Sequence, residues 1–237
     1  GWAKEKTNGL IPKVLDEISP DARMILMNAI YFKGSWVQKF DVKNTREADF
    51  FNEDGTVNKV NMMNQQHDFS YSEDETAQYL DLPYGNKAFS MTVVLPKTTI
   101  KSIHNFTLTR NAYNAAIEAM SVQKVELALP RFEVKNRFQL KPMLKQLGMN
   151  LPFEEDADFT QMSDLRPLFI GFVQHDTYVK VDEVGTEAAA VTTTGMYTTS
   201  LPIVKTFNVN RPFFFIIREK STGVILFMGK MGNVSKI

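Results

Sequence analysis

Catalysis needs nucleophiles, bases or metal ligands brought together, and this chain supplies few of them. It has no cysteine, which excludes disulfides, thiol nucleophiles and cysteine-ligated zinc. Its three histidines, His67, His104 and His175, are scattered along the sequence. Serines such as Ser35 and Ser90 stand outside any G-x-S-x-G turn, so no hydrolase nucleophile is signalled. Glu154, Glu155, Asp156 and Asp158 form an acidic run that reads as a solvated turn rather than a cation site. The residue types predict a protein that is not an enzyme and uses no metal and no cofactor.

One stretch differs from the rest. From Ala188 to Val204 the sequence AAAVTTTGMYTTSLPIV contains no charged residue, and small side chains fill its first half. Threonine and valine favour extended backbone, yet the alternation of large residues expected of a resident strand is missing. It reads either as a surface loop or as a β-prone segment kept out of a sheet.

The elements around this segment follow from periodicity. At 237 residues, 43% hydrophobic and 23% charged, the composition is that of a globular chain. Lys+Arg and Asp+Glu both number 27, which argues against a nucleic-acid partner. No apolar run reaches the length of a membrane span. The start, Gly1-Trp2-Ala3-Lys4-Glu5-Lys6, shows neither an initiator Met nor a signal-peptide core, so the chain reads as an internal piece. Ile11, Val14, Leu15 and Ile18 predict a short helix closed near Pro20. Residues 24–32 predict a strand buried on both faces, and 88–96 a further strand. Asp54-Gly55 and Gly85-Asn86 predict hairpins. Tyr113, Ala116, Ile117 and Met120 mark a second helix; Leu140, Met143, Leu144 and Leu147 mark a third, ended by Gly148. Val125, Leu127 and Leu129 alternate as one face of a strand. Beyond residue 168 the pattern is mostly β, with strands in 168–182, 207–218 and 223–229 and a charged turn at Arg218-Glu219-Lys220-Ser221. The expectation is one α+β unit rich in antiparallel strands.

Several motifs resemble the serpin family together and in order. They are Asn28-Ala29-Ile30-Tyr31-Phe32-Lys33-Gly34-Ser35-Trp36 with Phe40, Leu82-Pro83-Tyr84 with Leu95-Pro96, and Leu129-Pro130-Arg131-Phe132. They continue with Glu183-Val184-Gly185-Thr186-Glu187-Ala188-Ala189-Ala190 and Phe207-Asn208-Val209-Asn210-Arg211-Pro212-Phe213. The resemblance implies a serpin fold, with several antiparallel-rich sheets, packed helices and a mobile reactive loop at about 183–206. It implies that residues 1–237 are the C-terminal part of a single domain whose N-terminal segment is a missing partner. The cysteine-free sequence and the loop composition resemble those of a bacterial serpin.

The family mechanism implies target serine proteases, and some cysteine proteases, as partners in a covalent complex. The protease supplies the nucleophile, and the freed hinge, Glu183, Gly185, Thr186, Glu187, Ala188, Ala189 and Ala190, inserts into the central sheet. If residues 186–198 become a strand with Glu187 facing solvent, then Thr186, Ala188, Ala190, Thr192, Thr194 and Met196 face inward. None of these is charged, which favours an inhibitor over a carrier or chaperone relative. Counting from Gly185 by the family's usual loop length puts the cleaved bond near Thr198-Thr199-Ser200, suited to elastase-like enzymes. Met196 and Tyr197 suit chymotrypsin-like enzymes, and the bond between Lys205 and Thr206 suits trypsin-like ones; the choice stays open here. His175 matches a family histidine under the sheet with a structural role. Secretion, or a cell-surface or periplasmic location, is what the resemblance implies for the compartment.

Overall fold

A computed structural model describes residues 2–7, 9–11, 24–98, 102–164, 166–185 and 204–237. The chain divides into two compact units, Gly1–Phe32 with Glu133–Val179, and Lys33–Phe132 with Lys180–Ile237.

In chain order the elements begin with α1 (Trp2–Lys6), β1 (Met24–Tyr31), β2 (Arg46–Phe51), β3 (Val57–Glu73), β4 (Ala77–Tyr84) and β5 (Phe89–Pro96). They continue with α2 (Arg110–Glu118), β6 (Ser121–Pro130), β7 (Phe132–Gln139), α3 (Lys141–Gln146) and β8 (Ile170–Val181). The last three are β9 (Lys205–Asn208), β10 (Phe213–Glu219) and β11 (Ile225–Met231).

The first unit is built on a three-stranded sheet in the order β1-β8-β7. β1 and β8 run parallel, with Ile25 opposite Phe172 and Tyr31 opposite Tyr178. Ile11 and Tyr178 form a small core with Leu10, Ala29 and Tyr31 packed on it. Val14, Leu15 and Ile18 of the expected helix lie outside the described residues. β1 sits at the end of the sheet, and Leu26 and Met27 are exposed, so the expected burial on both faces is not seen. An apolar run states a demand for cover but not what meets it. The third helix forms and ends at Gly148, whose φ is +95°, although Met143 and Leu147 face solvent. Buried Asp176 on β8 accepts from Arg137 Nε at 3.0 Å and from Gln174 Nε2 at 3.0 Å, as a buried carboxylate must.

The second unit holds eight strands in the order β11-β10-β5-β4-β3-β6-β9, with β2 beside β3. Both expected hairpins form, β2–β3 around Gly55 at φ +84° and β4–β5 around Gly85 and Lys87 at φ +46° and +70°. β6 alternates as expected, with Val125, Leu127 and Leu129 fully buried. α2 begins where Thr109 Oγ1 accepts from Ala112 N at 3.1 Å, a helix cap, and lays Tyr113 and Ala116 against Tyr79, Val94 and Ile216.

Two features depart from the sequence reading. The stretch 207–218 divides at Pro212 into β9 and β10, which lie far apart in the strand order. Arg218, read as part of a turn, is a buried strand residue whose guanidinium lies 3.3 Å from Asp81.

Candidate functional site

The described residues stop at Gly185 and resume at Val204, on either side of most of the uncharged segment, so its two anchors can be built from their residues. At the first end, β8 runs into a tight turn in which Asp182 and Gly185 exchange backbone hydrogen bonds of 3.1 and 3.2 Å. Asp182 Oδ1 accepts from Val184 N at 3.0 Å and stiffens the turn. Residues 35–40 then clasp it from outside. Trp36 N donates to Val184 O at 2.8 Å, Trp36 Nε1 to Asp182 O at 2.9 Å, and Phe40 N to Glu183 O at 2.9 Å. Trp36 stacks on Tyr84 with centroids 4.3 Å apart, which anchors the clasp to β4.

Gly185 is required twice over. Its φ of +132° is closed to most side chains, and a Cβ there would stand 2.2 Å from Gly34 O and 2.7 Å from Ser35 Cα. The motif residues Gly34, Ser35 and Trp36 thus share one structural purpose with Gly185, though 150 positions separate Ser35 from it.

Glu183 is the buried carboxylate of this end. Its carboxylate is buried and receives Arg131 side-on, with Nε 2.9 Å from both oxygens and Nη2 2.6 Å from Oε1. Thr45 Oγ1 donates to the same Oε1. Burial by itself would raise the Glu183 carboxyl, but the hydrogen bonds from Arg131 and Thr45 outweigh it and hold the group below the usual carboxylate range.

At the second end, β9 runs parallel to β6 with Lys205 opposite Val125 and Phe207 opposite Leu127. Phe207 is fully buried and meets Tyr71 edge-on, centroids 6.3 Å apart. Lys205 Nζ lies 2.9 Å from Glu73 Oε1 and 5.9 Å from the Tyr71 ring centroid. Lys97 Nζ approaches the other Glu73 oxygen at 3.4 Å. Gln78 Nε2 donates to Tyr71 Oη at 2.9 Å and to Thr206 O at 3.1 Å. From Val125 to Arg131 is six residues, about 20 Å of strand, whereas the 18 residues 186–203 could stretch to roughly 60 Å. The segment is far longer than the gap between its anchors.

A family model described as serpin (serine protease inhibitor) matches residues 1–234. The chain belongs to the serpin family. Iripin-8 of Ixodes ricinus is 36% identical over 97% of this chain and 60% of its own length. The native-state crystal structure of tengpin, a thermophilic serpin, superposes with TM-score 0.86 at 33% identity, covering 98% of this chain and 61% of tengpin. Human thyroxine-binding globulin complexed with its ligand superposes with TM-score 0.87 at 26% identity, covering 99% of this chain and 62% of that one. The chain therefore spans about three-fifths of the serpins it matches. Serpins are by name protease inhibitors rather than proteases. A matching relative is named intracellular coagulation inhibitor 2, so membership does not carry the secretion expected from the sequence.

Of the residues singled out from sequence, Glu183 and Gly185 are brought together in the first anchor, and Lys205 and Thr206 stand in the second. Thr186, Glu187, Ala188, Ala189 and Ala190 lie outside the described residues, as do Met196, Tyr197, Thr198, Thr199 and Ser200. His175 sits half-buried on β8 opposite Asn28 of β1. Sequence reasoning assigned no role to Arg131, Thr45, Trp36 or Glu73. A carboxylate ending a strand signals that a cation must meet it, but 27 basic residues were available. No described helix is long and apolar enough to cross a membrane.

Proposed function

We propose that the protein inhibits serine proteases as a suicide substrate, with residues 1–237 forming the C-terminal part of one serpin domain. A protease attacks the segment after Gly185 and forms an acyl-enzyme, and the freed segment then inserts between β1 and β8. One observation carries the reading: β1 and β8 are parallel neighbours, and β8 leads directly into the anchored turn at Gly185. A strand that follows β8 through a tight turn runs antiparallel to β8. Because β1 is parallel to β8, that strand is antiparallel to β1 as well. Insertion would exchange one parallel ladder for two antiparallel ones, each slightly more stable per residue. The Asp182–Gly185 bridge already has this antiparallel sense.

Composition supports the same outcome. Thr186, Ala188, Ala190, Thr192 and Thr194 on the inward side are small and uncharged, so burying them leaves no unpaired charge. The native fold then holds back stability and is kept by a kinetic barrier. The bond attacked falls near Thr198-Thr199-Ser200, because Lys205 is already a paired strand residue. Elastase-like proteases are the class this bait suits, in a secreted, cell-surface or periplasmic setting.

Incubation of the intact protein with an elastase-type protease should give a complex stable to SDS, and cleavage in the segment should raise the melting temperature well above that of the intact form. Complete cleavage with neither complex nor stabilisation would reject the inhibitor reading. A carrier role is the second reading, favoured by the similarity to thyroxine-binding globulin. A carrier would show cleavage without any trapped protease.

A further inference from the structure

Lys205 is the only basic residue between Glu187 and Phe207, so a trypsin-like protease seeking a bond there must cut after it. We infer that Glu73 is a specificity-determining residue: its carboxylate clamps the Lys205 side chain to the sheet and withholds the Lys205–Thr206 bond from trypsin-like proteases. This rests on the reading above, that proteases attack this segment, and adds which class is turned away.

Such a protease selects a lysine by drawing its free ammonium into a pocket. Here the ammonium is engaged on two sides, 2.9 Å from Glu73 Oε1 and 5.9 Å from the centre of the Tyr71 ring. Lys97, 3.4 Å from the other oxygen, neutralises and orients the same carboxylate. The backbone is engaged too. Proteins that bind extended peptides add them as a strand through main-chain hydrogen bonds, but β9 is already paired along one side with β6, and Gln78 holds the Thr206 carbonyl at 3.1 Å. Phe207, two residues beyond the bond's lysine, is fully buried. To be cut, Lys205 must leave Glu73, β9 must leave β6 and Phe207 must leave the core. Only the first of these acts on the side chain that the protease selects. The residues from Ala188 to Ile203 offer no charged side chain for such a clamp.

The test is limited digestion of the intact protein with trypsin, counting by mass spectrometry the fragment that ends at Lys205, beside digestion with an elastase-type protease. Glu73→Gln should raise the rate of cleavage after Lys205 by about twofold to fivefold, the range one partly exposed ion pair allows. The elastase rate should stay at the wild-type value, and the melting temperature should fall by no more than about 4 °C. Asp49→Asn, which removes an ion pair of the same kind with Lys59 between β2 and β3, should change neither rate. Equal rates after Lys205 in wild type and Glu73→Gln would overturn the inference, and so would a parallel rise in the elastase rate, which marks general loosening. Failure of the inhibitor reading is visible separately, as absence of an SDS-stable elastase complex whatever the rates after Lys205.

Discussion

Glu183 and Glu73 are both carboxylates that hold one end of the same uncharged segment, but their side chains are 5% and 34% exposed. Around Glu183 the hold is made of backbone hydrogen bonds, a glycine with no room for a side chain, and a side-on guanidinium. Around Glu73 it is made of two lysines, Lys97 and Lys205, with the buried ring of Phe207 as a hydrophobic pin. The first end is built for geometry and the second for attachment. Under the proposed insertion, a loop folding back on β8 would need a fixed turn at one end, whereas the other end would need only to stay put until the chain is cut.

The largest effect expected at either end is that of Gly185→Ala. The new methyl would press on the backbone of Gly34 and Ser35, which cannot swing aside, and φ +132° adds strain. Strain and overpacking together should cost about 4 kcal/mol, read by equilibrium unfolding; a loss below about 1 kcal/mol would mean the turn is not rigid. At the other end, Phe207→Ala should cost about 3 to 4 kcal/mol, as deleting a buried ring does. Its amide exchange should rise first at Lys205–Asn208.

Glu183→Gln comes next, at about 2 kcal/mol, less than a fully buried pair because Arg131 keeps some contact with water. Its pH dependence has a definite sign. The Glu183 carboxyl is held below its ordinary value when folded, so its contribution is whole above the ordinary carboxylate range and is lost as pH falls through the lowered folded value. Acid unfolding of Glu183→Gln should accordingly be flatter than that of wild type. The smallest effect is that of Glu73→Gln, under about 1 kcal/mol, and it should fade between about 0.1 and 1 M salt as screening shortens to a few ångströms. If Glu73→Gln cost as much as Glu183→Gln, or ignored salt, the contrast between a geometric and an attaching end would be wrong.

Much of the fold was legible in the residues. Gly55 and Gly85 marked their hairpins because a tight turn needs positive φ, and Val125, Leu127 and Leu129 marked their strand because one face had to be dry. β3 was not legible: Val57–Glu73 is rich in Asn and Gln, which favour strands poorly, and it extends over 17 residues only because β2, β6 and β4 pair with it in turn. Arg218 was misplaced for a related reason, since a charge reads as surface unless its partner, Asp81, is known.

The sequence by itself determined the family and the charge-free segment, and it put small, uncharged residue types at every second position from 186 to 194. These are properties of residue type along one strand or turn, and local stereochemistry is enough to reveal them. Only the tertiary structure decided that Arg131 and Thr45 meet Glu183, that Trp36 clasps the Asp182–Gly185 turn, and that Lys205 is paired with Glu73. Each of these joins residues 52 to 146 positions apart, and such pairings follow from strand order and register, which a single sequence does not encode in any local pattern.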